Sequence, residues 1–273
     1  MPNTSNTVAN AVTASVSNGH VVFKSGRPII VNKPFIPVKL GMDQKEQEQI
    51  LDIACCRNIF IASNNQSEKD KILSLILTSL INHTKADAVK IIISTFDNRS
   101  EAGKYSSDSH MLLPGIVSEK AALRVLDYLY DENIRRSNMF KDNHQKWLIG
   151  YNEMVPEPKR LPFLIYVIDE VSGLMKSSRA DFCRKVRQVT ESSHFSGVML
   201  IFATNDVSSE TIRPSFIECF PKRIAFRMLD ANQSNLVLGR SGAERLGPEK
   251  IFLREKTSGD VKCTRIKLTD MRS

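Results

Sequence analysis

The 273-residue sequence predicts an α/β fold, a mostly parallel sheet sandwiched by helices, and three observations carry that prediction. Asn58-Ile-Phe-Ile-Ala62, Val89–Ser94, Leu161–Ile168 and Val198–Thr204 are apolar runs without polar alternation, as expected of strands buried on both faces. Segments of helical spacing separate them, and strand–helix alternation at this interval calls for right-handed crossovers between parallel strands. The third run ends abruptly in Asp169-Glu170. Carboxylates at the carboxyl end of such a strand lie on the rim where open α/β sheets bind their ligands.

The elements follow in order. Val21 to Pro37 suits short strands or a hairpin. After the first buried strand, Lys69 to Asn82 reads as a helix with Ile72, Leu73, Ile76, Leu77, Leu80 and Ile81 on one broad apolar face. Ser118 to Asn143 reads as a long helix opened by a Ser-Glu cap signal. Arg179 to Ser193 is helical beyond the acid-tipped strand, and Asp206 to Ile217 is expected to be helical too. Arg223 to Arg227 is a strand and Asp230 to Leu238 a helix. Ile251–Arg254 and Cys263–Leu268 are expected as antiparallel edge strands. The organisation expected is a disordered leader over 1–20, short strands over 21–37, and one domain over 38–273.

No apolar run approaches the ~18 residues of a membrane span. The first 19 residues lack charge and lack the basic start and apolar core of a signal peptide. Five cysteines without metal-ligand spacing argue for reduced thiols. A cytoplasmic protein without direct membrane insertion is expected. The net charge is +8, and residues 222–273 hold twelve Lys and Arg against six Asp and Glu. That balance suits a polyanion such as nucleic acid, and equally a solvated basic surface.

Asp169 and Glu170 match the Walker B arrangement, in which the first acid holds Mg²⁺ and the second orients an attacking water. The matching phosphate loop would follow the first strand, where the sequence reads Ser63-Asn64-Asn65-Gln66-Ser67-Glu68-Lys69-Asp70. Against G-x-x-x-x-G-K-[ST] it keeps the length and Lys69. Both glycines are replaced, by Ser63 and Glu68, and the hydroxyl by Asp70. The glycines let consecutive N–H groups face phosphates, the lysine neutralises them, and the hydroxyl coordinates Mg²⁺. Two acids against one lysine make the loop −1 instead of +1. At ~4 Å and an effective dielectric of ~20, each like-charge contact costs about 4 kcal/mol before relaxation. Asp70 could instead join Asp169 as a metal ligand.

Further segments give the chain a likeness. Leu40-Gly41-Met42-Asp43 and Asp52-Ile53-Ala54 precede the first strand, and His110-Met-Leu-Leu-Pro114 follows the second. Arg135-Arg136 is followed by Gly150-Tyr151-Asn152-Glu153. Then come Val167-Ile-Asp169-Glu170, Gly197–Thr204, Lys222-Arg223-Ile-Ala-Phe226 and Ser241–Gly247. In this order and spacing, from about Val38 to Leu253, they resemble the RecA-like P-loop NTPase motor domain of the FtsK/SpoIIIE family of DNA translocases. The resemblance implies ATP and Mg²⁺ as cofactors, double-stranded DNA as partner, and self-assembly into a ring, hexameric in that family. It implies Glu170 as catalytic base, Asp169 on the metal, and Asn205 in place of the family's γ-phosphate-sensing glutamine, one methylene short. Lys176 and Arg179 fall where the family contacts DNA, and Arg223 where a residue could reach a neighbouring subunit's nucleotide.

Three functions stay open: an active translocase motor; a motor fold with weak or lost ATP hydrolysis, serving as a ring or scaffold subunit, alone or beside an active ATPase paralogue; and a subunit of a type VII-like protein-secretion machine. The altered loop favours weak nucleotide binding, and the GYNE, RIAF and GAE segments favour the DNA branch.

Overall fold

The computed structural model describes residues 20–24, 27–31, 36–96, 101–192, 196–256 and 260–269; for 20–31 and 101 only the backbone is described. Apart from His20, the expected leader lies outside these residues. The chain divides into two units, 1–35 and 36–273. The first holds an antiparallel hairpin of β1 (His20–Lys24) and β2 (Arg27–Val31), with Val22 opposite Ile29.

The second unit is built on a nine-stranded sheet. Its strands are β3 (Pro37–Asp43), β4 (Glu48–Asp52), β5 (Asn58–Ala62), β6 (Val89–Ser94), β7 (Phe163–Ile168), β8 (Val198–Thr204), β9 (Lys222–Ala225), β10 (Lys250–Lys256) and β11 (Val261–Leu268). The spatial order is β4-β3-β11-β10-β9-β5-β8-β7-β6. From β9 to β6 every pairing is parallel, and from β4 to β9 every pairing is antiparallel. This is a RecA-like P-loop ATPase fold. Strand β8, late in sequence, sits between β5 and β7 and brings its carboxyl end between theirs.

The uninterrupted apolar runs are explained by the two cores. Phe60, Tyr166, Ile168, Leu200 and Phe202 point to one face, against α2 (Glu119–Asp142) and α5 (Arg179–Ser192). Their sequence neighbours Ile59, Ile61, Ile165, Val167 and Ile201 point to the other, with Ile72, Leu73, Ile76, Leu77 and Leu80 of α1 (Gln66–His83). Each central strand thus buries both of its faces. Among the described residues, no helix is long and apolar enough to cross a membrane.

Several motifs prove to be structural. Arg136, 1% exposed, bonds Glu132 and donates to the carbonyls of Pro162 and Ser196, at the starts of β7 and β8. Burial and the hydrogen bonds from Arg135 and Arg136 act in opposite directions on Glu132, and the arginines hold its carboxyl below the usual range. Tyr151 of α3 (Leu148–Met154) packs on Phe140, and Asn152 clamps both backbone groups of Leu161. Asp52 caps its own turn, accepting from Ala54 N and Ile36 N. The His110 segment runs along β6, with Ile91 N bonding His110 O and Leu112 N bonding Ile91 O.

Four expectations need correction. The segment Asp206–Ile217 is helical only over α6 (Pro214–Ile217). Asp206 instead accepts from Thr211 Oγ1, a local side-chain bond that competes with helix, and Pro214 can only open one. Strands β10 and β11 are interior, because β3 and β4, not foreseen as strands, extend the sheet past them. Gly41 permits this: at φ +144° its missing Cβ would overlap Lys267 O on β11. Ser118 precedes α2 in an extended conformation but makes no side-chain cap bond. Helix α1 starts three residues before the expected Lys69, which bears directly on the site.

Candidate functional site

The carboxyl ends of β5, β7 and β8 converge on Glu170. Strand β7 ends at Ile168, and Asp169, 2% exposed, is anchored by its N–H to Ser94 O of β6. Four donors engage the Glu170 carboxylate. Its Oε1 accepts from Thr204 Oγ1 at 2.6 Å and from Ser172 N at 3.0 Å, at the start of α4 (Ser172–Ser177). Its Oε2 accepts from Asn205 N at 2.8 Å and from Lys69 Nζ at 3.2 Å. The Lys69 side chain is 1% exposed and that of Glu170 23%, so a buried ammonium meets a half-buried carboxylate.

The loop after β5 is three residues, Ser63, Asn64 and Asn65, before α1 begins at Gln66. Asn65 starts the helix by accepting from Ser67 N at 2.9 Å, an N-cap that the pattern Asn-Gln-Ser-Glu encodes well. Gln66, Ser67 and Glu68 thereby become its first turn. Four amides of the segment are engaged within the chain: Ser63 N with Thr204 O, Asn65 N with Ser63 Oγ, Ser67 N with Asn65 Oδ1, and Lys69 N with Asn65 O. No residue from Ser63 to Asp70 has a positive φ. Ser63 Oγ donates to Glu68 Oε2 at 2.9 Å, Gln66 Nε2 donates to Asp70 Oδ1 at 2.8 Å, and Asn205 Nδ2 donates to Gln66 Oε1. Asn64 turns to α7 (Ala231–Leu238), donating to Gln233 Oε1 at 2.9 Å.

The structure thus brings Ser63, Gln66, Glu68, Lys69, Asp70, Asn205 and Glu170 into one network. Among the described residues, no three or more His, Cys, Asp or Glu side chains are grouped to hold a metal, so Asp169 and Asp70 form no such cluster. Lys176 and Arg179 lie elsewhere, exposed near the end of α4. Lys176 Nζ pairs with Asp206 at 3.1 Å, and Arg179 Nε donates to Met175 O. Asp206 is held below the usual carboxylate range, burial being outweighed by hydrogen bonds from Ser208, Thr211 and Lys176. Arg223 is 6% exposed and donates to Phe220 O and Val237 O of its own fold. Thr204 and the Ser172 amide, which complete the Glu170 cage, were not foreseen as site groups. Their only signal is topological, for Thr204 ends the strand that inserts beside β7.

Chemically this arrangement pairs a buried ammonium with a carboxylate that has four donors, beside a helix start capped by its own sequence, and Glu68 and Asp70 leave it net negative. Solved structures share the architecture. The cytoplasmic domain of the type VII secretion ATPase EccC from Thermomonospora curvata superposes with a TM-score of 0.68 at 21% identity, over 85% of this chain and 28% of that one. The pCW3 conjugation coupling protein TcpA gives 0.66 at 21% identity, over 92% and 77%. In sequence, the DNA translocase FtsK of Lactiplantibacillus plantarum is 26% identical over 244 residues, 85% of this chain and 31% of the relative. That of Treponema pallidum is 29% identical over 220 residues, 79% of this chain and 27% of the relative. The chain spans less than a third of the length of these two relatives. The FtsK/SpoIIIE family profile matches residues 24–255, which is most of the sequence, and the chain belongs to that family.

Proposed function

We propose that this chain is an FtsK/SpoIIIE-type motor-fold subunit that works on duplex DNA without hydrolysing ATP, its nucleotide site closed by its own side chains. The observation that carries this reading is the Lys69–Glu170 ion pair, 3.2 Å long with Lys69 buried. The family implies nucleotide and Mg²⁺ at this rim, where the lysine would meet phosphates and the second acid would face water. Here each is the other's partner. The residues present do not fit a metal–triphosphate. The loop is three residues long, four amides of the Ser63–Asp70 segment are engaged, and Glu68 and Asp70 add negative charge where phosphates would lie.

DNA as the partner is supported by the translocase relatives, by the +8 net charge, and by the exposed cations Lys176 and Arg179 near α4. A ring of such subunits, alone or beside an active paralogue, is the assembly this reading expects.

The test is MgATP titration calorimetry and phosphate release by the full chain, with and without duplex DNA, with Glu170→Gln as control. Binding no tighter than about 1 mM and no DNA-stimulated release are expected. Turnover that disappears in the control sinks the proposal. Duplex affinity should fall by roughly a thousandfold or more between about 50 and 200 mM salt if several phosphates are contacted. Absent or salt-independent binding transfers the fold to a protein-secretion scaffold.

A further inference from the structure

Strands β9 and β10 pair so that Lys222 faces Glu255 and, one residue along, Arg223 faces Arg254. The first rung is an ion pair of 2.6 Å. The second sets two cations directly opposite each other on the other face of the sheet, an arrangement that repels. Arg254 is 8% exposed, and its Nε and Nη1 are buried without a hydrogen-bond partner among the described residues. Arg223 satisfies two N–H groups on carbonyls, which carry no full charge. Its pKa is drawn down to about 10, by burial first and by Arg254 second.

Both arginines line an open cleft of about 490 Å³ that shares no residue with the Lys69–Glu170 network. Lys256 and Glu218 also line it, so three cationic residues and one carboxylate border the cleft, a surplus of two formal charges. Asn235 and Leu236 of α7 supply a polar and an apolar wall. A buried guanidinium is normally matched by an anion or a fork of acceptors, and the protein supplies neither to Nε and Nη1 of Arg254. Both atoms are closed off from solvent, so an anion reaches them only as the Arg254 side chain turns into the cleft. The surplus equals the charge of a phosphate dianion, and the cleft is large enough for a small body attached to one.

We infer that this cleft binds a small phosphate-bearing anion, held chiefly by Arg254 with Lys256 as a second contact. The site depends neither on ATP nor on the closure of the Lys69 site.

The experiment is thermal denaturation and titration calorimetry of the full chain with inorganic phosphate and with phenyl phosphate, against sodium chloride at matched ionic strength. The midpoint should rise with phosphate and not with chloride. Arg254→Met should lose the rise and bind phosphate about tenfold more weakly or worse. Because it removes a buried, uncompensated charge, this variant should melt no lower than the parent without phosphate. Arg254→Lys should keep part of the binding. Phenyl phosphate tighter than inorganic phosphate by about tenfold assigns an ester whose body lies on Leu236, and equal affinities assign the free ion. An equal rise with chloride, or binding that survives Arg254→Met but is lost in Lys69→Met, overturns the inference.

Discussion

The rim of the parallel strands and the cleft beside β9 and β10 both bury cations, and they treat them oppositely. At the rim, Lys69 has a carboxylate at 3.2 Å, and that carboxylate has three further donors. In the cleft, Arg254 has another arginine across the ladder and no acceptor for two of its nitrogens among the described residues. On the proposed reading, a family site whose charges are paired internally has no need for a ligand. A site that leaves charge uncompensated at comparable burial has acquired one. The contrast recurs within a single strand pair, where the Lys222–Glu255 rung is satisfied and the Arg223–Arg254 rung is not.

The sharpest way to break this comparison is to open the closed side. Glu170→Ala leaves the Lys69 ammonium buried without its carboxylate, which should cost about 3–5 kcal/mol in urea denaturation. Replacing both partners, as Lys69→Met with Glu170→Ala, should recover most of that loss, since the cost lies in the orphaned charge. If Glu170→Ala costs under about 1 kcal/mol, the ion pair is not a structural element and the site is open enough to hold something else.

A smaller effect is expected from restoring the loop. The triple variant Ser63→Gly, Glu68→Gly, Asp70→Thr removes two negative charges and the Ser63–Glu68 bond, and weakens the helix start. MgATP affinity in titration calorimetry should rise by about tenfold or more, since relieving even one like-charge contact is worth over ~1.4 kcal/mol. Unchanged affinity would mean that the Lys69–Glu170 pair, not the loop, closes the site.

The rim was largely legible in the sequence because its elements are local. Uninterrupted runs such as Ile59–Ile61 and Val198–Ala203 announce buried strands, and Asp169-Glu170 marks their carboxyl rim. The loop's altered charge was legible as well. What escaped was the consequence of Asn65, whose side chain caps a helix and engages the Ser67 amide. The antiparallel half was harder, because β3 and β4 alternate weakly and their pairing with β11 depends on a long-range approach at Gly41. The cleft was invisible for the same reason. Arg223 and Arg254 lie 31 positions apart, and only the β9–β10 register places them face to face.

The smallest expected effect concerns Asp206, one residue beyond the network, where a charge is closed at the surface instead of in the interior. Its side chain is 30% exposed and that of Lys176 is 63% exposed, so the pair should contribute only about 0.5 kcal/mol. The pH dependence gives the sign. With the folded pKa below the unfolded one, the contribution is complete above the ordinary aspartate value of about 3.9 and is lost as pH falls from there through the lower folded value. Asp206→Asn should therefore lower the denaturation midpoint slightly at neutral pH and merge with the parent curve in acid. The same change releases Lys176 from its partner, so duplex affinity should rise about twofold or more at low salt if Lys176 meets phosphates. A parent and variant that differ equally at pH 7 and pH 3 would show that Asp206 acts through its neutral hydrogen bonds to Thr211, and that the charge closed there is incidental to the site.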